Sequence, residues 1–305
     1  EELIVDSPNE ALLFNIRGAC YAGLNQINLA RENYEKAIAL KPDYSKAHFN
    51  LAGIFHELEE YESSIQSYQY ALMIEPNYAE ANNNLGNVFR ESSQIEESVK
   101  SFKKAIQINP DYVEAHYSLG NSFQELGKFE EAVNHYEQAL KIRPNLTGVL
   151  NNLGNILREL DRYDEAIFSY EKAISIDPNF VEVYFNLGTV FQELEVLDKA
   201  VKFYKKAIEI KNNYAEAHNN LGVAFKDLKD FKSAIQAYQE AIKIQPEYAE
   251  AHNNIGIVFK ELGKLDAAVK SHQIALKIIP NYAEAHNNLG IILLENGELK
   301  KAIDK

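Results

Sequence analysis

The sequence predicts an all-α protein, an α-solenoid of antiparallel helix pairs repeating every 34 residues. Three observations predict it. The prolines Pro8, Pro42, Pro76, Pro110, Pro144, Pro178, Pro246 and Pro280 recur at intervals of 34 residues, with one interval of 68 where Asn212 takes the missing place. Between them, apolar residues recur at helical spacing rather than in strand alternation. Small residues also return at three fixed places in every unit.

With Ala11 as position 1, eight full units follow: 11–44, 45–78, 79–112, 113–146, 147–180, 181–214, 215–248 and 249–282. Residues 283–305 form a partial ninth, and residues 1–10, with Pro8 at position 32, read as the end of a preceding unit. Apolar positions 3, 7, 8, 11 and 14 mark one face of a first helix, and 20, 21, 24, 27 and 28 one face of a second. The break is expected at positions 15 to 18, around Gly127-Lys128 and Gly263-Lys264. The second helix is expected to stop before the proline, since the residue ahead of a proline is driven out of the α region.

Position 8 is glycine or alanine throughout, from Gly18 and Ala52 to Gly290. Position 27 is alanine from Ala37 to Ala275, and position 20 is small from Ala30 to Ala302. Position 24 is aromatic in seven units, with His272 the exception. A helical glycine costs about 1 kcal/mol against alanine, so these glycines mark points where helix axes approach and aromatics fill the space beside them.

Composition narrows the function classes. With 46% hydrophobic and 25% charged residues the chain is of the soluble, folded kind. Its net charge of −14 argues against nucleic acid or an anionic membrane surface as partner and favours basic segments. No apolar run is long enough to span a bilayer. The lone Cys20 rules out an internal disulfide and suits a reducing, cytoplasmic setting. Histidines at position 4 (His48, His116, His218, His252, His286) tempt a metal assignment. Neighbouring repeats lie about 10 Å apart, however, whereas the ligands of one ion lie about 2 Å from it. They are read as packing residues. No phosphate loop, zinc-protease motif or nucleophile elbow is present, so no cofactor and no catalytic site are expected.

The candidate site is a stripe. Positions 2, 6, 9 and 13 fall on one face of the first helix, opposite the buried one. Position 6 supplies Asn50, Asn84, Asn152, Asn186, Asn220, Asn254 and Asn288. Position 9 supplies Asn87, Asn121 and Asn155 but changes to Val223, Ile257 and Ile291 in the last three units. Carboxylates occupy position 2, including Glu216, Glu250 and Glu284, and position 13. A primary amide can accept from a backbone N–H while donating to a backbone C=O. Helices packed about 8–10 Å apart would present one amide to about every third residue of an extended peptide. Position 6 is therefore assigned to peptide contact, and position 5 (Asn83, Asn151, Asn219, Asn253, Asn287) to the neighbouring helix. The bland alternative is that both asparagines bond only between adjacent first helices. The carboxylate rows favour Lys- or Arg-containing segments, the alternative being a solvated face.

Small residues at 8, 20 and 27, aromatics at 11 and 24 and proline at 32 together resemble the tetratricopeptide repeat. The chain departs from that pattern in having no Trp at position 4. The resemblance implies a right-handed superhelix with first helices on the concave side, and protein or peptide partners. It extends to the repeat superhelix of O-linked N-acetylglucosamine transferases and to bacterial repeat proteins, where such an asparagine ladder holds extended polypeptide. Position 5 is never basic, so the dicarboxylate clamp of chaperone-binding members is not expected. Solenoids need polar caps, and neither end has one. A longer protein is expected, for which the substrate-recruiting arm of a transferase is one alternative. Self-association through uncapped ends or the convex face is another.

Overall fold

The computed structural model describes residues 9–295, so the expectations placed on Pro8, Ala302 and Lys305 lie outside the described residues. Helices alternate in length between 13 and 14 residues, and the chain divides into two compact units, one ending at Leu160 and the other beginning at Asp161. The first holds α1 (Ala11–Gly23), α2 (Ile27–Leu40), α3 (Ser45–Glu57), α4 (Tyr61–Ile74), α5 (Ala79–Glu91), α6 (Ile95–Ile108), α7 (Val113–Glu125), α8 (Phe129–Ile142) and α9 (Thr147–Glu159). The second holds α10 (Tyr163–Ile176), α11 (Val181–Glu193), α12 (Leu197–Ile210), α13 (Ala215–Asp227), α14 (Phe231–Ile244), α15 (Ala249–Glu261), α16 (Leu265–Ile278) and α17 (Ala283–Glu295). Among the described residues no helix is long and apolar enough to cross a membrane.

First helices fill positions 1–13 and second helices 17–30, so the break is three residues at 14–16, tighter than the 15–18 expected. Its cause is a left-handed residue at position 15. Asn25, Glu59, Ser93, Gly127, Asp161, Glu195, Lys229 and Gly263 all have φ between 57° and 69°. The next N–H then reaches back to the carbonyl of position 11, as in Lys128 to Phe123 at 2.8 Å and Val196 to Phe191 at 2.8 Å. The position-15 N–H donates to position 12, as in Gly127 to Gln124 at 3.0 Å. This paired closure satisfies carbonyls that a helix end would otherwise leave open and reverses the chain at once. An L-residue held there is strained by on the order of 1 kcal/mol, yet only two of the eight are glycine.

The other turn is closed differently. Side-chain caps are scarce among the described helices, the exception being the Asp230 carboxylate, which accepts from the Ser233 N–H at 3.1 Å. A side chain at position 4 instead ties the turn down from within the following helix. The Nε2–H groups of His48, His116, His252 and His286 donate to the carbonyls of Pro42, Pro110, Pro246 and Pro280 at 2.8–3.0 Å. His218 does the same with Asn212 at 3.1 Å, so the repeat lacking proline keeps the carbonyl the histidine uses. These rings therefore bind backbone as well as pack.

In the pairs that lie within one unit, the ring at position 24 packs against position 8, most closely where that residue is glycine. A Cβ on Gly120 would come within 2.5 Å of the Tyr136 ring, and one on Gly222 within 2.6 Å of Tyr238. Alanines at 20 and 27, such as Ala132, Ala139, Ala234 and Ala241, are fully buried beside these rings. In both units first helices also touch their counterparts in the next repeat, α5 against α7 and α13 against α15 among them. No comparable row joins second helices among the described residues. Each unit thus bends with its first helices on the inner side, where the asparagine stripe lies.

Candidate functional site

All ten asparagines assigned to the stripe are half-buried, and Glu216, Glu250 and Glu284 are exposed. The first unit carries Asn50, Asn84, Asn87, Asn121, Asn152 and Asn155. The second carries Asn186, Asn220, Asn254 and Asn288 with the three glutamates. Their amides are already working. Position 6 donates backward to the residue at position 5 of the preceding repeat: Asn50 to Asn15 at 2.9 Å, Asn254 to Asn219 at 3.1 Å and Asn288 to Asn253 at 3.2 Å. Asn152 reaches Tyr117 Oη at 3.2 Å and Asn121 Oδ1 at 3.3 Å. Asn84 and Asn220 accept from the adjacent Asn83 and Asn219. Positions 5 and 6 are thus acceptor and donor of one inter-repeat bond. A primary amide has two N–H groups and a twice-accepting oxygen, so Asn254 and Asn288 keep their oxygens and a second N–H for other partners.

The two carboxylate rows differ more than their sequence suggests. Three position-13 carboxylates are met by position 12 of the preceding repeat: Glu91 by the His56 ring at 2.8 Å, Glu125 by Arg90 at 3.0 Å and Glu295 by Lys260 at 3.2 Å. Among the described residues, position 2 in the second unit has no such partner. Glu250 accepts an amide bond from Asn219 at 2.9 Å, and neither it nor Glu216 nor Glu284 pairs with a cation. The field of this row is felt by the tyrosines that begin each first helix. Burial, then Glu250 and Glu216, pushes the Tyr248 phenol well above its usual range. Tyr214 is raised by burial with Glu216 and Glu182, and Tyr282 by burial with Glu284 and Glu250. The second unit therefore offers open carboxylates, half-used amides and, at position 9, the apolar Val223, Ile257 and exposed Ile291.

Sequence reasoning missed the position-12 side chains that engage Glu91, Glu125 and Glu295, and the second use of position 9. Asn121 is bound by the buried Tyr136 hydroxyl at 2.7 Å. In sequence the only hint was the co-occurrence of a polar residue at 9 with tyrosine at 24 in the three repeats carrying Asn121, Asn155 and Thr189.

Among known proteins, a TPR repeat model matches residues 18–58, 53–89, 86–127, 154–195, 193–229, 224–263 and 258–297. Two tetratricopeptide repeat models match 113–146 and 135–168. Among solved structures, YrrB, described as a TPR protein with an unusual peptide-binding site, is 22% identical with a TM-score of 0.54, over 61% of this chain and 96% of that one. MamA is 28% identical with a TM-score of 0.51, over 54% of this chain and 97% of its own. The APC/C hetero-tetramer Cut9-Hcn1 gives a TM-score of 0.59 at 19% identity, over 88% of this chain and 52% of that one. No curated protein matches the chain significantly. The 34-residue register, the interlocked helix pairs and matches spanning nearly the whole sequence place this chain in the tetratricopeptide repeat family, a scaffold fold for binding protein or peptide partners.

Proposed function

We propose that the chain is a non-catalytic, cytoplasmic scaffold that grips an extended basic polypeptide segment along the inner face of its first helices. The position-6 amides contact the ligand backbone and the position-2 carboxylates its Lys or Arg side chains. The observation that carries this reading is the row Glu216, Glu250 and Glu284, exposed and without cation partners beside amides that retain free oxygens. Val223, Ile257 and Ile291 add an apolar strip for alternate ligand side chains. Each net hydrogen bond contributes about 0.5–1.5 kcal/mol, so a few rungs and charges give moderate affinity, suited to a reversible scaffold.

The test uses a labelled ten-residue peptide alternating lysine and alanine. Combining Glu216→Gln, Glu250→Gln and Glu284→Gln removes the charge while keeping an oxygen for Asn219. At low salt this variant is expected to bind roughly tenfold more weakly, about 0.5 kcal/mol per carboxylate. Replacing Asn152, Asn186, Asn220 and Asn254 with Ala should weaken binding further with helix content intact by circular dichroism. Wild-type affinity in either folded variant defeats the reading.

A further inference from the structure

The sixth repeat breaks the pattern of its outer face. Position 4 is Tyr184 and position 23 is Phe203, where no other repeat carries a phenyl or phenol ring at both positions. Position 23 is serine in four repeats, at Ser67, Ser101, Ser169 and Ser271. The fully buried Tyr204 at position 24 already completes the interlock with the first helix, so the Phe203 ring lies outside it, stacked on Phe191 with centroids 5.4 Å apart. Beside it lies a cleft of about 610 Å³ between second helices α10 and α12, walled by Ile174, Tyr184 and Phe203. Phe168, 69% exposed, stands on α10 at the repeat position that Lys202 holds on α12.

The rim of this cleft has the opposite charge to the chain. Three lysines, Lys202, Lys205 and Lys206, line it against one carboxylate, Glu209, in a protein of net charge −14. Lys206 pairs with Glu209 at 3.0 Å. The others are held over rings instead of carboxylates, Lys202 Nζ 5.8 Å from the Phe203 centroid and Lys205 Nζ 5.2 Å from that of Phe225. Lys199, one turn earlier, lies 4.7 Å from Phe191 in the same manner. A cation on an aromatic face is directed in space yet keeps its charge for a further partner.

We infer that this cleft is a second binding site, for an acidic peptide segment that seats one large apolar side chain against the wall of Ile174, Tyr184 and Phe203 while its carboxylates meet Lys202 and Lys205. Charge complementarity selects the occupant: the rim attracts anions and the floor requires carbon. A free phosphate would leave the rings unused, and a nucleic acid would meet the repulsion of the whole acidic chain. This site lies on the second-helix side and stands independently of the basic-peptide reading.

The probe is a labelled ten-residue peptide of aspartate and glutamate with one central phenylalanine. Its counterpart with serine at the centre and a ten-nucleotide oligothymidylate serve as controls. Wild-type protein should bind the phenylalanine peptide, with affinity falling steeply as salt rises, and should bind the serine peptide at least about fivefold more weakly. Lys202→Glu with Lys205→Glu should reduce binding by about tenfold or more, and Phe203→Ser, which restores the residue common at this position, by about fivefold. If the double reversal perturbs folding, Lys202→Ala with Lys205→Ala replaces it. The triple glutamine variant of the inner face should bind this probe as wild type does. No binding by the folded wild type, equal binding of the serine peptide or oligothymidylate, or full binding by the folded variants overturns the site.

Discussion

Repeats 113–146 and 215–248 share a backbone and the same glycine-against-tyrosine interlock, and differ at position 9. In the earlier repeat the Tyr136 hydroxyl donates to Asn121 Oδ1 at 2.7 Å, with Gln124 Oε1 at 2.9 Å. In the later one position 9 is Val223, and the buried Tyr238 hydroxyl has no partner. Repeat 181–214 is intermediate, with Tyr204 Oη 3.3 Å from Thr189 Oγ1. Repeat 249–282 pairs Ile257 with His272, whose ring turns to Asn253 Oδ1 at 3.0 Å. The inner face and the core are therefore coupled. A residue chosen to shape the binding stripe also decides whether the buried hydroxyl at position 24 finds a partner, and a buried group left unpaired costs about 1–3 kcal/mol.

The largest test of this contrast is acid. Burial pushes both His135 and His272 from 6.5 down to about 4, helped at His135 by His116 and Lys103 and at His272 by Lys260. A base whose folded pKa is depressed binds protons more readily when unfolded. Stability is complete above pH 6.5 and declines as pH falls towards 4, by up to about 1.4 kcal/mol per unit for each ring. Urea unfolding at pH 7 and 4.5 measures this, and His272→Phe, which copies Phe102, should remove its share. An unchanged pH slope in that variant breaks the account.

Next come Gly120→Ala and Gly222→Ala, each expected to cost about 1–3 kcal/mol by driving a Cβ into a packed ring. Thermal melts should show both repeats equally sensitive, because the interlock is common to them. The hydroxyls then separate the two. Tyr136→Phe should cost about 1 kcal/mol and Tyr238→Phe should be neutral or stabilising, since it removes an orphaned polar atom. Equal losses would end the comparison. The smallest effect is at the left-handed turn, where Lys229→Gly should gain about 0.5 kcal/mol and Gly127→Ala lose about 1 kcal/mol.

Prolines and small residues made the repeat legible, because close approach at positions 8, 20 and 27 admits few side chains. Helical spacing likewise located the inner stripe. The turn at position 15 was hidden, since Glu59, Ser93, Glu195 and Lys229 give no glycine signal for a left-handed backbone. The histidine bonds to Pro42 and its equivalents were hidden too, because a ring at position 4 reads as packing until the turn is folded beside it. Residue type showed that Asn254 could bond but not that it donates to Asn219. That depends on how far one helix is displaced along its neighbour, a quantity no single repeat encodes.

Bonds between first helices recur at a spacing of 35 residues, as Asn219 to Asn254, Asn253 to Asn288 and Lys260 to Glu295 do, with a second spacing of 31 at Asn121 to Asn152 and Asn219 to Glu250. Excising residues 249–282 would bring Asn288 to Asn219 and Glu295 to Lys226, each a like-for-like replacement. Loss of 35 residues would set Asn219 against Leu289, and loss of 33 would set Lys226 against Leu294 instead. Length is thus a heritable variable in this molecule: recombination between repeats can shorten or extend the array in whole steps without rewriting the chemistry that holds one step to the next.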